Sequence, residues 1–190
     1  MRTALWIDVA VKVALVALLA FGAFSGLERF AGKAFGWRLA GYSVATVIVP
    51  AIWAARGRRP PYPYLADILF VLPFLIDTAG NALDLYDAVG WWDDANHFWN
   101  WALLSGAFAA GVARTRIAPI ELFALVVGFG GVTAILWELG EYFAFIRNSP
   151  ELATAYTDTL GDMSLGLAGS AVAAAIAVSV TRRRRVAVAR

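Results

Sequence analysis

The sequence predicts an all-α protein, a polytopic transmembrane helix bundle of about six spans. Three observations carry this. Hydrophobic residues make up 61% of the 190-residue chain and its mean hydropathy is +0.66, well above the roughly 45–50% apolar content of a soluble domain. Apolar runs of about 20 residues, the length that crosses a bilayer core as a helix, recur along the chain. The stretches between them are short and rich in turn formers, such as GRRPPYP at 57–63, DAVGWWDD at 87–94 and RNSPELATAY at 147–156.

The first span covers roughly residues 5–27. Its start, MRTALW, is like that of a signal peptide, but the apolar run is long and no A-x-A cleavage site follows, so it counts as a helix. Asp8 and Lys12 inside it are four apart with the acid first, a spacing that pairs them on one helix face. The second and third spans cover roughly 37–55 and 65–86. The fourth, fifth and sixth cover roughly 95–113, 118–142 and 159–180. The six fill the chain as one transmembrane domain over residues 1–190 and leave no length for a soluble domain. Glycine seams at Gly22 and Gly26, at Gly128, Gly130 and Gly131, and at Gly161, Gly166 and Gly169 suit close helix packing.

Basic residues in short loops set orientation. Arg56, Arg58 and Arg59 follow span two, Arg114 and Arg116 follow span four, and Arg182 to Arg185 follow span six. These segments share one side, which the rule makes the cytoplasm, so both termini lie inside. Arg29, Lys33 and Arg38 in the first outer loop oppose this assignment and are outnumbered.

With this topology four helix ends meet at the outer face, and nine of the 14 acids fall there. Span three contributes Asp77, Asn81, Asp84 and Asp87, with the first three at i, i+4, i+7. Span four contributes Asp93, Asp94, His97 and Asn100, span five Glu138 and Glu141, and span six Asp158 and Asp162. Spacings of three or four place each set on one face. Asp84, Asp94, Glu141 and Asp158 form an outer layer, and Asn81, His97, Glu138 and Asp162 an inner one, with Asp77 one turn deeper. Asp93, Asp94 and Asp158 also sit where acids cap helix starts. Glu138 and Glu141 have no such explanation, because the dipole at a helix C-terminus opposes negative charge. An acid as deep as Asp77 costs about 2.5–3.5 kcal/mol even on the gentler scales. Arg147 is the only basic residue in the last two outer junctions. Bound metal ions, bound protons or both must therefore neutralise the acids. Carboxylates with one imidazole suit a divalent ion: Zn, Mn, Mg, Fe or Ca. Expected metal ligands are His97, Glu138 and Asp162, with Asp94 and Asp158 as further ligands. Glu141 or Asp77 is the expected general base, and Asn81, Asp84, Asn100 and Asp93 line the pocket.

Four motifs together resemble the YjdF-like family of uncharacterised bacterial inner-membrane proteins. They are Asp77, Asn81, Asp84 and Tyr86; Asp93, Asp94, His97 and Phe98; Trp137, Glu138 and Glu141; and Tyr156, Asp158, Thr159 and Asp162. Their order is similar, more loosely, to that of VanZ-like membrane proteins, which more often carry glutamine at the position of Glu141. The resemblance covers roughly residues 65–170 and implies a multi-pass protein of the bacterial inner membrane, without a settled activity.

The polar cluster at the outer leaflet leads to the expectation of a metal-dependent hydrolase or transferase acting on a lipid or other envelope substrate. An ion or proton-coupled transporter, suggested by Asp77 near the midplane, is the alternative, and a structural or accessory membrane subunit a second one. The chain has no cysteine, which excludes disulfides and thiolate metal sites. A single histidine gives Ser105 no independent base and argues against bis-histidine haem. The RRRR run directly follows a span and reads as an anchor to anionic lipid rather than a nucleic-acid site.

Overall fold

The computed structural model describes residues 2–112, 117–144 and 146–188. Among these residues the secondary structure is entirely helical. Eight α-helices follow one another: α1 (Arg2–Phe24), α2 (Phe35–Tyr42), α3 (Ala45–Ala55), α4 (Tyr64–Ala82), α5 (Leu85–Ala88), α6 (Trp92–Val112), α7 (Pro119–Ala144) and α8 (Ala155–Val188). Five segments are long and apolar enough to cross a membrane: α1, α2 with α3 as Phe35–Ala55, α4, Pro119–Asn148 and Ala155–Arg185. Helix α6 has 21 residues, enough to cross. Asp93, Asp94, Asn96, His97 and Asn100 near its start lower its hydropathy. Arg114 and Arg116, used above for orientation, lie outside the described residues.

The chain divides into two compact units, Met1–Asp93 and Asp94–Arg190. In the first, contacts advance along α1 and α4 together. Lys12 reaches Asp67, Leu15 and Leu19 pack on Val71, and Ala23 lies against the cluster of Phe30, Phe35 and Ala82. The two helices therefore run in the same direction. The α2–α3 segment is not one smooth helix. Around Ser43 the bonding tightens to i+3, with Val44 N–H donating to the Gly41 carbonyl and Thr46 N–H to that of Ser43. Gly22 supports α2, since a Cβ there would run into the Phe35 ring. Gly26 belongs to no seam: nothing lies within 4 Å, and its φ of +66° serves the turn after α1.

Helix α4 ends earlier than the expected residue 86. It stops at Ala82 because Asp84 turns left-handed, with φ of +63°, before the short α5. Asp77 and Asn81 share a helix face, and Asp84 does not.

The second unit is built on three stripes of buried residues spaced four apart. On α6 they are His97, Trp101, Ser105 and Ala109. On α7 they are Leu122, Val126, Gly130, Ala134 and Glu138. On α8 they are Asp162, Gly166, Ser170 and Ala174. Residues i and i+4 lie one above the other on a helix, so each stripe is a packed ridge. At one end Ala109, Leu122, Val126 and Ala174 form an apolar cluster. In the middle the Ser105 hydroxyl donates to Ser170 Oγ at 2.9 Å, and Ser170 donates to the Gly166 carbonyl at 2.8 Å. Ser105 is thus engaged with a second serine. The polar residues lie at the other end.

Small residues set the spacing. A Cβ on Gly130 would strike the Ser170 side chain, one on Gly166 would come within 2.5 Å of the Trp101 ring, and one on Gly169 would meet the Phe98 carbonyl oxygen. Gly128 and Gly161, expected in the same seams, face open space. Helix α8 continues past residue 180 to Val188, so Arg182–Arg185 are helical, and Arg185 Nη2 donates to the Ile117 carbonyl at 2.6 Å.

Two substitutions separate these roles. Gly169→Ala forces backbone apart and is expected to lower stability by roughly 1–3 kcal/mol, as overpacking does. Gly128→Ala meets nothing and is expected to gain up to about 1 kcal/mol from helix propensity. Unfolding curves in detergent should shift in opposite directions; two shifts of the same sign would contradict the packing described.

Candidate metal centre

Helix α6 begins, α7 ends and α8 begins at the polar end of the second unit. His97, Glu138 and Asp162 therefore lead their stripes into one place, where they are 8%, 6% and 4% exposed. His97 Nδ1 lies 3.7 Å from Glu138 Oε1, and its Nε2 lies 3.7 Å from Asp162 Oδ1. Ligand atoms of His97, Glu138 and Glu141 all fall within 4.8 Å of one another, close enough to hold one metal ion.

The imidazole restricts how these groups combine. Glu138 faces one ring nitrogen and Asp162 the other, so one ion bound through His97 does not gather both carboxylates in the way expected for a His97–Glu138–Asp162 triad. Ligand atoms around a tetrahedral ion with bonds of about 2.1 Å are separated by roughly 3.4 Å, near the observed spacing. Glu138 lies at the Nδ1 edge, and the half-buried Glu141 joins it and the imidazole in one set. Asp162 on the Nε2 edge is suited to accept the remaining ring N–H, as carboxylates behind metal-bound histidines do.

The outer residues stay open to solvent. Asp94 and Asp158, each about one turn before His97 and Asp162, are exposed. With Ala153, Thr154, Thr157 and Gly161 they line an open cleft. Asp93 occupies the first turn of α6, four residues before His97. Asn100 donates to Asn96 Oδ1 at 3.4 Å on the same helix.

Asp77, Asn81 and Asp84 belong to the first unit and have partners there. Asp77 Oδ2 accepts from Arg38. Its Oδ1 accepts from Tyr86 at 2.7 Å and from Asn81 Nδ2 at 3.2 Å. Arg38 also donates to the Tyr42 hydroxyl at 3.0 Å. Lys33 donates to Asp84, to Asp87 at 3.0 Å and to the Asn81 carbonyl at 3.4 Å. The hydrogen bond from Lys33 holds the Asp84 carboxyl below the usual carboxylate range, and the same bond raises Lys33 above the usual lysine range. The expectation that cations are scarce among these acids therefore fails for the first unit. Lys33 and Arg38 supply the charge from a loop and helix about 40–50 residues upstream.

A family model described as "Predicted membrane protein (DUF2238)" matches residues 10–183. The chain belongs to the DUF2238 family. This agrees with the apolar helices. No curated protein and no solved structure matches the chain. The looser similarity to VanZ-like proteins finds no support in the family match.

The Arg38–Asp77 pair is partly buried, with side chains 21% and 13% exposed. Its loss should cost between the ~1 kcal/mol of an exposed pair and the ~3–5 kcal/mol of removing one partner of a buried one. Arg38→Met alone is expected to destabilise the protein more than Arg38→Met combined with Asp77→Leu, because the single change strands a carboxylate. Equal losses in thermal unfolding would show that the pair is not what holds Asp77.

Proposed function

We propose that this chain binds a divalent metal ion between α6 and α7 and acts as a membrane hydrolase or transferase on a lipid head group or other envelope substrate. The observation that supports it is the set His97, Glu138 and Glu141, buried or half-buried with ligand atoms within 4.8 Å. One imidazole with two carboxylates favours Zn, Fe or Mn over Mg or Ca, which prefer oxygen alone. A bound ion of this kind polarises a phosphoryl or carbonyl group and acidifies its water.

The side chains divide the work. Glu138 and His97 are closed off from solvent and fix position. Glu141, more exposed and one turn further out, completes the set and is placed to accept a proton. Asp162 keeps the imidazole oriented. The cleft with Asp94, Thr154, Thr157 and Asp158 gives a polar substrate group access from water. Asp77 takes no part in this chemistry, since Arg38, Tyr86 and Asn81 occupy both its oxygens. Within the family we assign the chain to the YjdF-like proteins of the bacterial inner membrane, with both termini cytoplasmic, on the motifs and loop charges given above. Proton-coupled transport is the second reading, favoured by the buried charged cluster around Lys12 in the first unit.

Elemental analysis of protein purified in detergent and reloaded with Zn, Mn or Fe tests the metal. Wild type should retain one equivalent, and His97→Ala and Glu138→Gln should retain none. Asp162→Asn should bind 10–100-fold more weakly, as expected for a group that orients a ligand. Equal metal content in wild type and His97→Ala would sink the proposal.

A further inference from the structure

A second charged cluster lies in the first unit and is independent of the proposed metal chemistry. Lys12 on α1 donates to Asp8 Oδ2 at 3.1 Å and to Asp67 Oδ2 at 2.5 Å. Tyr62, two residues before α4, donates its hydroxyl to the same Asp67 oxygen. Asp67 is fully buried and Asp8 is 5% exposed. Two carboxylates face one ammonium, so the ionised cluster carries a surplus negative charge within two helices apolar enough to span a membrane. Such a charge is costly unless a partner offsets it.

The hydrogen bonds indicate what is missing. Lys12 and Tyr62 serve only the Oδ2 atoms. Asp8 Oδ1 and Asp67 Oδ1 are both buried and have no hydrogen-bond partner. A buried acceptor without a donor is itself unfavourable. One proton on either Oδ1 removes the surplus charge and supplies the missing O–H donor.

We propose that Asp8, Lys12, Asp67 and Tyr62 form a buried proton-binding site in which the two carboxylates share one exchangeable proton. Tyr64, tilted, and Trp53, edge-on, pack around the Tyr62 ring at 4.7 and 5.1 Å between centroids. The site lies nearer the N-terminal than the C-terminal ends of α1 and α4. In the other direction Leu15, Leu19 and Val71, with Phe74 and Leu75, form an apolar cluster between this site and the Arg38–Asp77 pair. Asp67 and Asp77 are about 15 Å apart along α4 at 1.5 Å per residue. With that apolar stretch between them, the site exchanges its proton on the Asp67 side of the α1–α4 contact. Losing the proton leaves two acids competing for one lysine across the α1–α4 contact, so occupancy controls how firmly those helices hold together.

Infrared difference spectroscopy on the full chain in nanodiscs at neutral pH tests this. Wild type minus Asp8→Asn should show the carbonyl stretch of one protonated carboxylic acid, because in the variant Lys12 and Asp67 balance each other. Glu138→Gln should leave that band unchanged. Its absence from the wild-type spectrum, or its appearance only when sodium is removed, would overturn the proposal, the latter by showing that a metal cation fills the site. Should Asp8→Asn fail to fold, Tyr62→Phe removes one donor from Asp67 and must shift the band. An unshifted band then assigns the proton elsewhere and overturns the site.

Discussion

The close approach of α6 and α8 at Gly169 is the constraint on which the second unit depends. A single methyl group there would meet the carbonyl oxygen of Phe98, the residue next to His97. That contact fixes the start of α6 against the middle of α8 and leaves little freedom in where the imidazole sits. The ridges then register rung by rung, from the apolar cluster of Ala109, Leu122, Val126 and Ala174, through the paired hydroxyls of Ser105 and Ser170, to the acids. Polarity increases toward one end because each ridge changes character at the same height. The polar end is therefore held by packing below it rather than by attraction among the acids, which repel one another.

The first unit solves a related problem by other means. Its buried and half-buried acids at 67 and 77 each meet a cation from a different helix, Lys12 and Arg38. Breaking such a pair strands a charge where water is scarce, which is why membrane interiors tolerate ionisable groups chiefly as pairs or in functional sites. The two units thus treat carboxylates differently: one supplies lysine and arginine, the other a lone histidine shared between acids on both of its edges.

Much of this was legible in the sequence. Apolar run length located the long helices to within a few residues, apart from the C-terminal end of α8, and the three- and four-residue spacings picked out His97, Glu138, Glu141 and Asp162 as neighbours along their helices. Alternation of helix direction then brought α6, α7 and α8 together at the right ends. The errors have physical causes. Asp84 left the helical face because a left-handed residue ends α4, and nothing in DLYDAVG marks that position as a break. The partners of Asp77 and Asp84 were missed because Arg38 and Lys33 carry orientation information in a sequence reading, whereas pairing across some 40–50 residues is a tertiary event. The pairing of Asp67 with Lys12 was missed for the same reason: the i, i+4 pairing of Asp8 and Lys12 looked complete by itself. Which carboxylate takes which ring nitrogen of His97 depends on the ring's orientation, which spacing does not encode.

The length of α8 has a mechanical consequence. Its 34 residues form an uninterrupted rod of about 51 Å at 1.5 Å per residue, well beyond the roughly 30 Å hydrocarbon thickness of a bilayer. Asp162 and the four-arginine cap occupy opposite stretches of that rod. Depth at one end therefore dictates depth at the other: wherever the arginines settle, the Asp162 carboxylate is carried about 30 Å away along the rod.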